Sequence, residues 1–187
     1  MKKPLSYYGG KQRLAKLILG LIPEHRVYCE PFLGGAAIFF AKTPSKVEII
    51  NDTNGGIINF YEVLKRDFTA LEKVAISLHS RKLHNHAWTV YQTPELFDRV
   101  KRAWAVWMPT NSSYGCMPDG CFGYGRTCGG TAKKLNNKKL NFTEGYAVRL
   151  RNAQIECCDA LKVIRSSDSE GAFFYCDPPY VGADQGH

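Results

Sequence analysis

The chain has 187 residues, 44% of them hydrophobic, and a formal net charge of +8. That length holds one domain, with or without a small insertion, and the apolar fraction excludes disordered and fibrous classes. No apolar run approaches the roughly 20 residues that a membrane span needs, and Met1-Lys2-Lys3-Pro4 lacks a signal-peptide stretch, so a cytoplasmic protein with no membrane association is expected. The positive charge favours a polyanionic partner.

The first periodic segment covers residues 11–22, where Leu14, Leu17, Ile18, Leu21 and Ile22 recur at helical spacing until Pro23 ends the run. Residues 27–30 form a short strand that runs into Pro31-Phe32-Leu33-Gly34-Gly35 and a helix over 36–41. A second strand over 47–50 ends at Asn51-Asp52, and Ile57, Ile58, Tyr61 and Leu64 mark an amphipathic helix. This alternation predicts a parallel α/β sheet. After about residue 66 the pattern changes. Phe68, Leu71, Val74, Ala75 and Leu78 predict a helix, with His84 and His86 in a surface loop. Thr93-Pro94-Glu95 starts another helix, leading into Phe97, Val100, Trp104, Trp107 and Met108 with both tryptophans in the core. Residues 109–141 carry no sustained helical period and read as hairpins and loops. The alternation then resumes with a strand over 155–157 ending at Asp159, a helix over 160–165 and a strand over 172–176 ending at Asp177. A discontinuous α/β core, residues 1–66 and 154–187, is therefore expected around an insertion of residues 67–153.

Seven cysteines without secretory context argue against a disulfide framework. Cys29, Cys157 and Cys176 read as small core residues in strand-like stretches. Cys116, Cys121 and Cys128 lack paired spacing, and no metal site is expected.

Glu30, Asp52, Asp159 and Asp177 each close a predicted strand. Ligands of open α/β sheets bind beyond the carboxyl ends of strands, and carboxylates there suit a ligand with hydroxyls and amines. The glycines after Phe32 allow close backbone approach at a helix start. Asp52 stands where it could bond a ribose or cap the next helix. Asp177-Pro178-Pro179-Tyr180 is the sharper motif. Two prolines fix the backbone and leave carbonyl oxygens without competing amide donors. A carboxylate, a rigid carbonyl and an aromatic face are what methyl transfer to a planar amine requires. Acceptors for both amine N–H bonds free the nitrogen lone pair and stabilise its developing charge, and positioning supplies the rest. Tyr180 would stack on a base rotated out of its duplex.

Tyr7-Tyr8-Gly9-Gly10-Lys11, Glu30-Pro31-Phe32-Leu33-Gly34-Gly35, Asn51-Asp52, residues 156–159 and Asp177-Pro178-Pro179-Tyr180 follow one another along essentially the whole chain. In that order the sequence resembles the Dam-type, adenine-specific DNA methyltransferases. The resemblance implies a Rossmann-like core with an incomplete sheet and a helical and loop-rich target-recognition insertion. It implies S-adenosylmethionine as cofactor, adenine N6 in double-stranded DNA as acceptor, and no obligate protein partner. It assigns catalysis to Asp177, Pro178, Pro179 and Tyr180. Tyr7 and Lys11 would contact the methionine part of the cofactor, Lys11 near its carboxylate. Glu30, Phe32, Gly34 and Gly35 would line the pocket, Asp52 would bind the ribose, and Asp159 would lie near the cofactor adenine or cap a helix. Asp177 would face both cofactor and target. The sequence departs from the family at Ala36, which follows two adjacent glycines, and at Ala160, where many relatives carry an aromatic.

In the insertion, Lys133, Lys134, Lys138, Lys139, Arg126, Arg149 and Arg151 interleave with Tyr114, Phe122 and Tyr124, as DNA contacts do. Asn111, Ser112, Tyr114 and Arg126 are the candidate base contacts. Family members continue past the catalytic motif, so a truncated chain, poorly stable and inactive by itself, is expected. The alternatives are an inactive DNA-binding fragment, or transfer to cytosine amino groups or RNA bases.

Overall fold

The computed structural model describes residues 1–75, 78–125 and 130–180. A 3-10 turn, Lys11–Arg13, and helix α1 (Ala15–Leu19) lead to strand β1 (Val27–Glu30), helix α2 (Ala37–Ala41), strand β2 (Val47–Asn51) and helix α3 (Gly55–Arg66). Helices α4 (Phe68–Ala75), α5 (Arg81–Gln92), α6 (Arg99–Ser112), α7 (Gly130–Leu140) and α8 (Gly145–Leu150) follow. Strand β3 (Gln154–Glu156), helix α9 (Ala160–Ser167) and strand β4 (Ala172–Phe174) complete the described elements.

The four strands form one parallel sheet in the order β3-β2-β1-β4, with Cys29 of β1 opposite Ile49 of β2 and Phe174 of β4. The two central strands are buried along almost their whole length, which is why they read as continuous apolar runs. Asn51, fully buried at the end of β2, donates through Nδ2 to the carbonyls of Pro31 (2.9 Å) and Cys158 (3.0 Å), and its Oδ1 accepts the Cys158 amide at 3.0 Å. One amide thus ties together the chain segments leaving β1, β2 and β3, at the edge where a ligand would bind.

One hydrophobic cluster runs from the sheet through α2 and α3 into α6, where Trp104 and Trp107 are buried as expected. No helix among the described residues is long and apolar enough to cross a membrane. Several expectations need correction. Thr93 does not start the tryptophan-bearing helix: its hydroxyl donates back to the Thr89 carbonyl at 2.8 Å and closes α5, while Pro94–Leu96 makes only a 3-10 turn. Asp98 caps the helix instead, accepting the Lys101 amide at 2.9 Å. The helix then continues through Pro109 to Ser112, and Thr110, Asn111 and Ser112 turn their side chains back to carbonyls of the preceding turn. Residues 130–140, expected as loop, form α7; only Leu135 is buried there, so no apolar stripe announced the helix. His84 and His86 both lie in α5, not in a loop, and His84 is buried there. Cys29 is a core residue, but Cys157 and Cys176 are exposed.

Arg149, grouped with DNA contacts by its position in the sequence, is instead part of the core. Its Nη2 donates to Glu48 Oε1 and to the Phe39 carbonyl, both at 2.8 Å, its Nη1 pairs with Glu48 Oε2, and its guanidinium lies 3.8 Å from the Phe39 ring centre. Lys42 approaches the same carboxylate at 2.6 Å, so Glu48 is held ionised, below its ordinary range despite burial, by two cations. Removing one partner strands charge in a buried site. Arg149→Ala should therefore lower unfolding free energy by about 3 kcal/mol, the low end for a buried pair because Lys42 remains. Urea denaturation reads this directly, and a loss below about 1 kcal/mol would place the pair among weak surface contacts.

Candidate active site

A cavity of about 890 Å³ opens beyond the carboxyl ends of β1, β2 and β4. Its floor is the turn after β1. Gly34 has φ +47°, a conformation that side chains disfavour, and a Cβ there would lie 3.1 Å from the Tyr7 ring. A Cβ at Gly35 would lie 2.9 Å from Tyr7 Cβ. The two glycines thus let Tyr7 pack flat against the turn. Tyr61 donates to the Gly34 carbonyl at 3.0 Å, and Asp52 Oδ2 accepts the Gly34 amide at 2.8 Å. Asp52 Oδ1 accepts the Asn54 amide at 2.9 Å, and burial pushes this carboxyl above its ordinary range. Asn54, not Asp52, caps α3, accepting from the amides of Gly56 and Ile57.

Glu30 closes β1 and lines the same cavity. Ala36, the residue ahead of helix α2, is in a left-handed conformation and offers no side-chain cap, and Glu30 supplies the missing acceptor. Its Oε2 accepts the Phe39 amide at 3.1 Å and the Tyr28 hydroxyl at 2.8 Å.

Asp177 lines the same cavity. The Lys11 amine lies 2.7 Å from both of its carboxylate oxygens and 5.3 Å from the Tyr180 ring centre. Burial would lower the Lys11 pKa, but bonds to Asp177 and Tyr180 outweigh it and hold the amine above its ordinary value. The amine is thus engaged by the strand-end acid at the opposite end of the sequence. Pro178, Pro179 and Tyr180 line the cavity mouth, with Tyr180 60% exposed.

Tyr7, Lys11, Glu30, Phe32, Gly34, Gly35, Asp52 and Asp177 are therefore brought to one cavity. Asp159 is not: exposed and outside the lining, it caps α9, accepting the Leu161 amide at 2.9 Å and the Lys162 amide at 3.3 Å. Sequence reasoning missed Tyr91, Met117, Pro118 and Asp119, which the helical insertion sends into the cavity wall. Nothing local marks them, because they reach the wall only through tertiary packing.

The basic candidates are scattered. Tyr114 is 84% exposed, and Lys133 and Lys134 are exposed on α7. Lys138 is partly buried, its amine 3.2 Å from the Lys3 carbonyl, and burial together with the nearby Lys3 charge depresses its pKa to about 8. Lys139 is half-buried with its amine 3.5 Å from Asn136 Oδ1. Asn111 and Ser112 are buried, which removes them as base contacts. Asn111 Oδ1 accepts the Ser6 amide and hydroxyl while Nδ2 donates to Trp107, and Ser112 donates to the Met108 carbonyl. Arg126 lies outside the described residues. Among the described residues no group of three or more His, Cys, Asp or Glu side chains is arranged for a metal ion.

Burial is the first cause of the Glu30 shift: against the lowering pull of its two donors, it moves the carboxyl from its ordinary 4.5 up to about 8. The folded value lies above the unfolded one, so the stability contributed by the neutral acid is complete below pH 4.5 and lost as pH rises through about 8. Glu30→Gln, neutral at every pH, should show a flatter decline of melting temperature across that interval than the parent. Parallel profiles would mean that Glu30 is already ionised at neutrality.

The sequence profile of the D12 class N6 adenine-specific DNA methyltransferases matches residues 7–106 and 122–187. The chain is 26% identical over 182 residues to a DNA N-6-adenine-methyltransferase of Escherichia phage P1, covering 92% of this chain and 23% of that protein. It is 29% identical to the type II methyltransferase M1.LlaDCHI of Lactococcus lactis subsp. cremoris, over 92% of this chain and 63% of that one. A DNA adenine methylase of Vibrio cholerae is 26% identical, over 95% of this chain and 64% of the other. The chain thus spans about a quarter of the phage relative and just under two thirds of the bacterial ones.

Proposed function

The chain belongs to the D12 class of N6 adenine-specific DNA methyltransferases, and on that premise we propose that it transfers a methyl group from S-adenosylmethionine to the exocyclic amine of adenine in double-stranded DNA. The parallel sheet is then its Rossmann-like core, and residues 67–153 its target-recognition insertion. The observation that carries the reading is that Asp177, Pro178, Pro179 and Tyr180 line the same cavity as the glycine turn and Asp52.

The cavity fits the cofactor in size and chemistry. Its floor is flattened by glycines whose Cβ atoms would strike Tyr7, and its walls carry Glu30, Asp52 and Asp177 as acceptors for amine and hydroxyl hydrogens. When bound, S-adenosylmethionine supplies an electrophilic methyl group on a sulfonium. Asp52 would accept from ribose hydroxyls with lone pairs left after its two backbone bonds. Tyr7, Phe32, Gly34 and Gly35 shape the pocket, and Lys11 fixes the orientation of the Asp177 carboxylate by donating to both of its oxygens. The adenine amine is a poor nucleophile because its lone pair is delocalised into the ring. Asp177 and the Pro178 carbonyl accept its two N–H bonds, so the nitrogen pyramidalises and the positive charge that develops on it is stabilised. The surplus amine proton would leave to solvent by way of the Asp177 carboxylate, while the Pro178 carbonyl only accepts a hydrogen bond. Tyr180, exposed at the mouth, would stack on a base extruded from the duplex. Tyr114, Lys133, Lys134 and Lys139 are the proposed DNA contacts, together with Lys138 when its amine swings out.

Asp177→Ala should abolish methyl transfer to DNA, by at least the hundredfold typical of one transition-state acceptor, while circular dichroism and melting stay close to the parent. Transfer at near-parental rate by a folded variant would remove Asp177 from the chemistry.

A further inference from the structure

The cavity takes its fourth carboxylate from the insertion, not from the sheet. Residues 112–123 form a tight hairpin: Ser113 bridges Phe122, the Tyr114 amide donates to the Cys121 carbonyl at 2.8 Å, and the Gly123 amide donates to the Ser112 carbonyl at 2.9 Å. At its tip, Ser113 Oγ donates to the Met117 carbonyl at 2.8 Å, and a Cβ at Gly120 would lie only 2.9 Å from the Tyr114 carbonyl oxygen. The hairpin is rooted on the buried end of α6. One side of the tip presents Met117, Pro118 and Asp119 to the cavity, and the neighbouring Tyr114 faces solvent.

The other lining acids are already engaged. Glu30 caps α2, Asp52 holds the Gly34 and Asn54 amides, and both Asp177 oxygens meet Lys11. Among the described residues, Asp119 is the lining carboxylate with no hydrogen bond or ion pair to another described residue. It lies close enough to act on two phenols of the same wall: burial raises the pKa of Tyr7 and of Tyr91, and the Asp119 charge adds to both shifts. Tyr91 is itself fixed by the Asn54 amide, which donates to its hydroxyl at 2.9 Å.

We propose that Asp119 is a cofactor-binding residue contributed by the recognition hairpin, accepting a hydrogen-bond-donating group, amine or hydroxyl, of the ligand in this cavity. This rests on the reading that the cavity takes S-adenosylmethionine. Because the same short hairpin carries Tyr114 outward, filling the cavity fixes the DNA-facing side as well, and linkage makes the two affinities rise by a common factor.

Calorimetry with S-adenosylmethionine and S-adenosylhomocysteine tests the assignment without turnover. Asp119→Asn should weaken both ligands roughly tenfold or more, as expected for loss of a charged acceptor, while Asp119→Glu keeps most of the affinity. In the parent protein, carboxyl labelling read by mass spectrometry should show Asp119 protected by S-adenosylhomocysteine while the surface acid Glu95 is labelled as before; this measurement needs no variant to fold. Saturating S-adenosylhomocysteine should tighten DNA binding several-fold in the parent, and Asp119→Asn should abolish that gain at unchanged cofactor-free DNA affinity. Unchanged ligand affinity in Asp119→Asn, or unprotected Asp119 in a parent that binds the ligand, overturns the assignment. DNA affinity indifferent to ligand overturns the linkage. A parent that binds neither ligand removes the cofactor reading and the inference with it.

Discussion

The site depends on the parallel pairing of β4 with β1, in which Val27 lies opposite Ala172 and Cys29 opposite Phe174. A parallel pair cannot be closed by a tight turn, and here almost the whole described chain lies between the partners. The pairing extends one residue past the strand, where the Tyr175 amide donates to the Cys29 carbonyl at 2.9 Å. That bond aims the next residues across the end of β1, so Asp177 comes to face Glu30 and meets the amine of Lys11. Without the ladder, Lys11 and Asp177 would have no reason to approach, and Tyr180 would have no cavity to overhang.

The acids at the strand ends show how few groups can organise such an edge. Each serves the backbone before any ligand does: Glu30 replaces the absent cap of α2, Asp52 holds the Gly34 turn, and Asp159 caps α9. Asn51 adds a neutral clamp across three chain segments. Amides at helix starts and turns need acceptors, and a carboxylate at a strand end is the nearest one. Two of those carboxylates keep further lone pairs toward the cavity. The pocket is therefore preorganised by the same bonds that build its walls.

Much of this was legible in the sequence. The alternation of apolar runs announced the parallel sheet because its central strands are buried on both faces, and strand-end acids announced the ligand edge. Periodicity failed where burial was not its cause. Helix α7 buries only Leu135 and so carries no stripe, and α6 runs on through Pro109 into Thr110, Asn111 and Ser112, whose polar side chains fold back onto the helix's own carbonyls. Basic composition misled at Arg149, whose partner Glu48 lies on a distant strand, and polarity misled at Asn111, which is buried against Ser6. Tyr91 and Asp119 were invisible because the wall they form exists only after α5 and the hairpin pack over the sheet edge.

The most direct test of the account is the identity of the modified nucleoside. The protein would be incubated with methyl-labelled S-adenosylmethionine and plasmid DNA, and the DNA then digested to nucleosides and resolved by mass spectrometry. The arrangement of Asp177, the Pro178 carbonyl and Tyr180 predicts label in N6-methyladenine and in no other base. Label in N4-methylcytosine, label entering RNA while DNA is refused, or unlabelled DNA from a protein that binds the cofactor would contradict it.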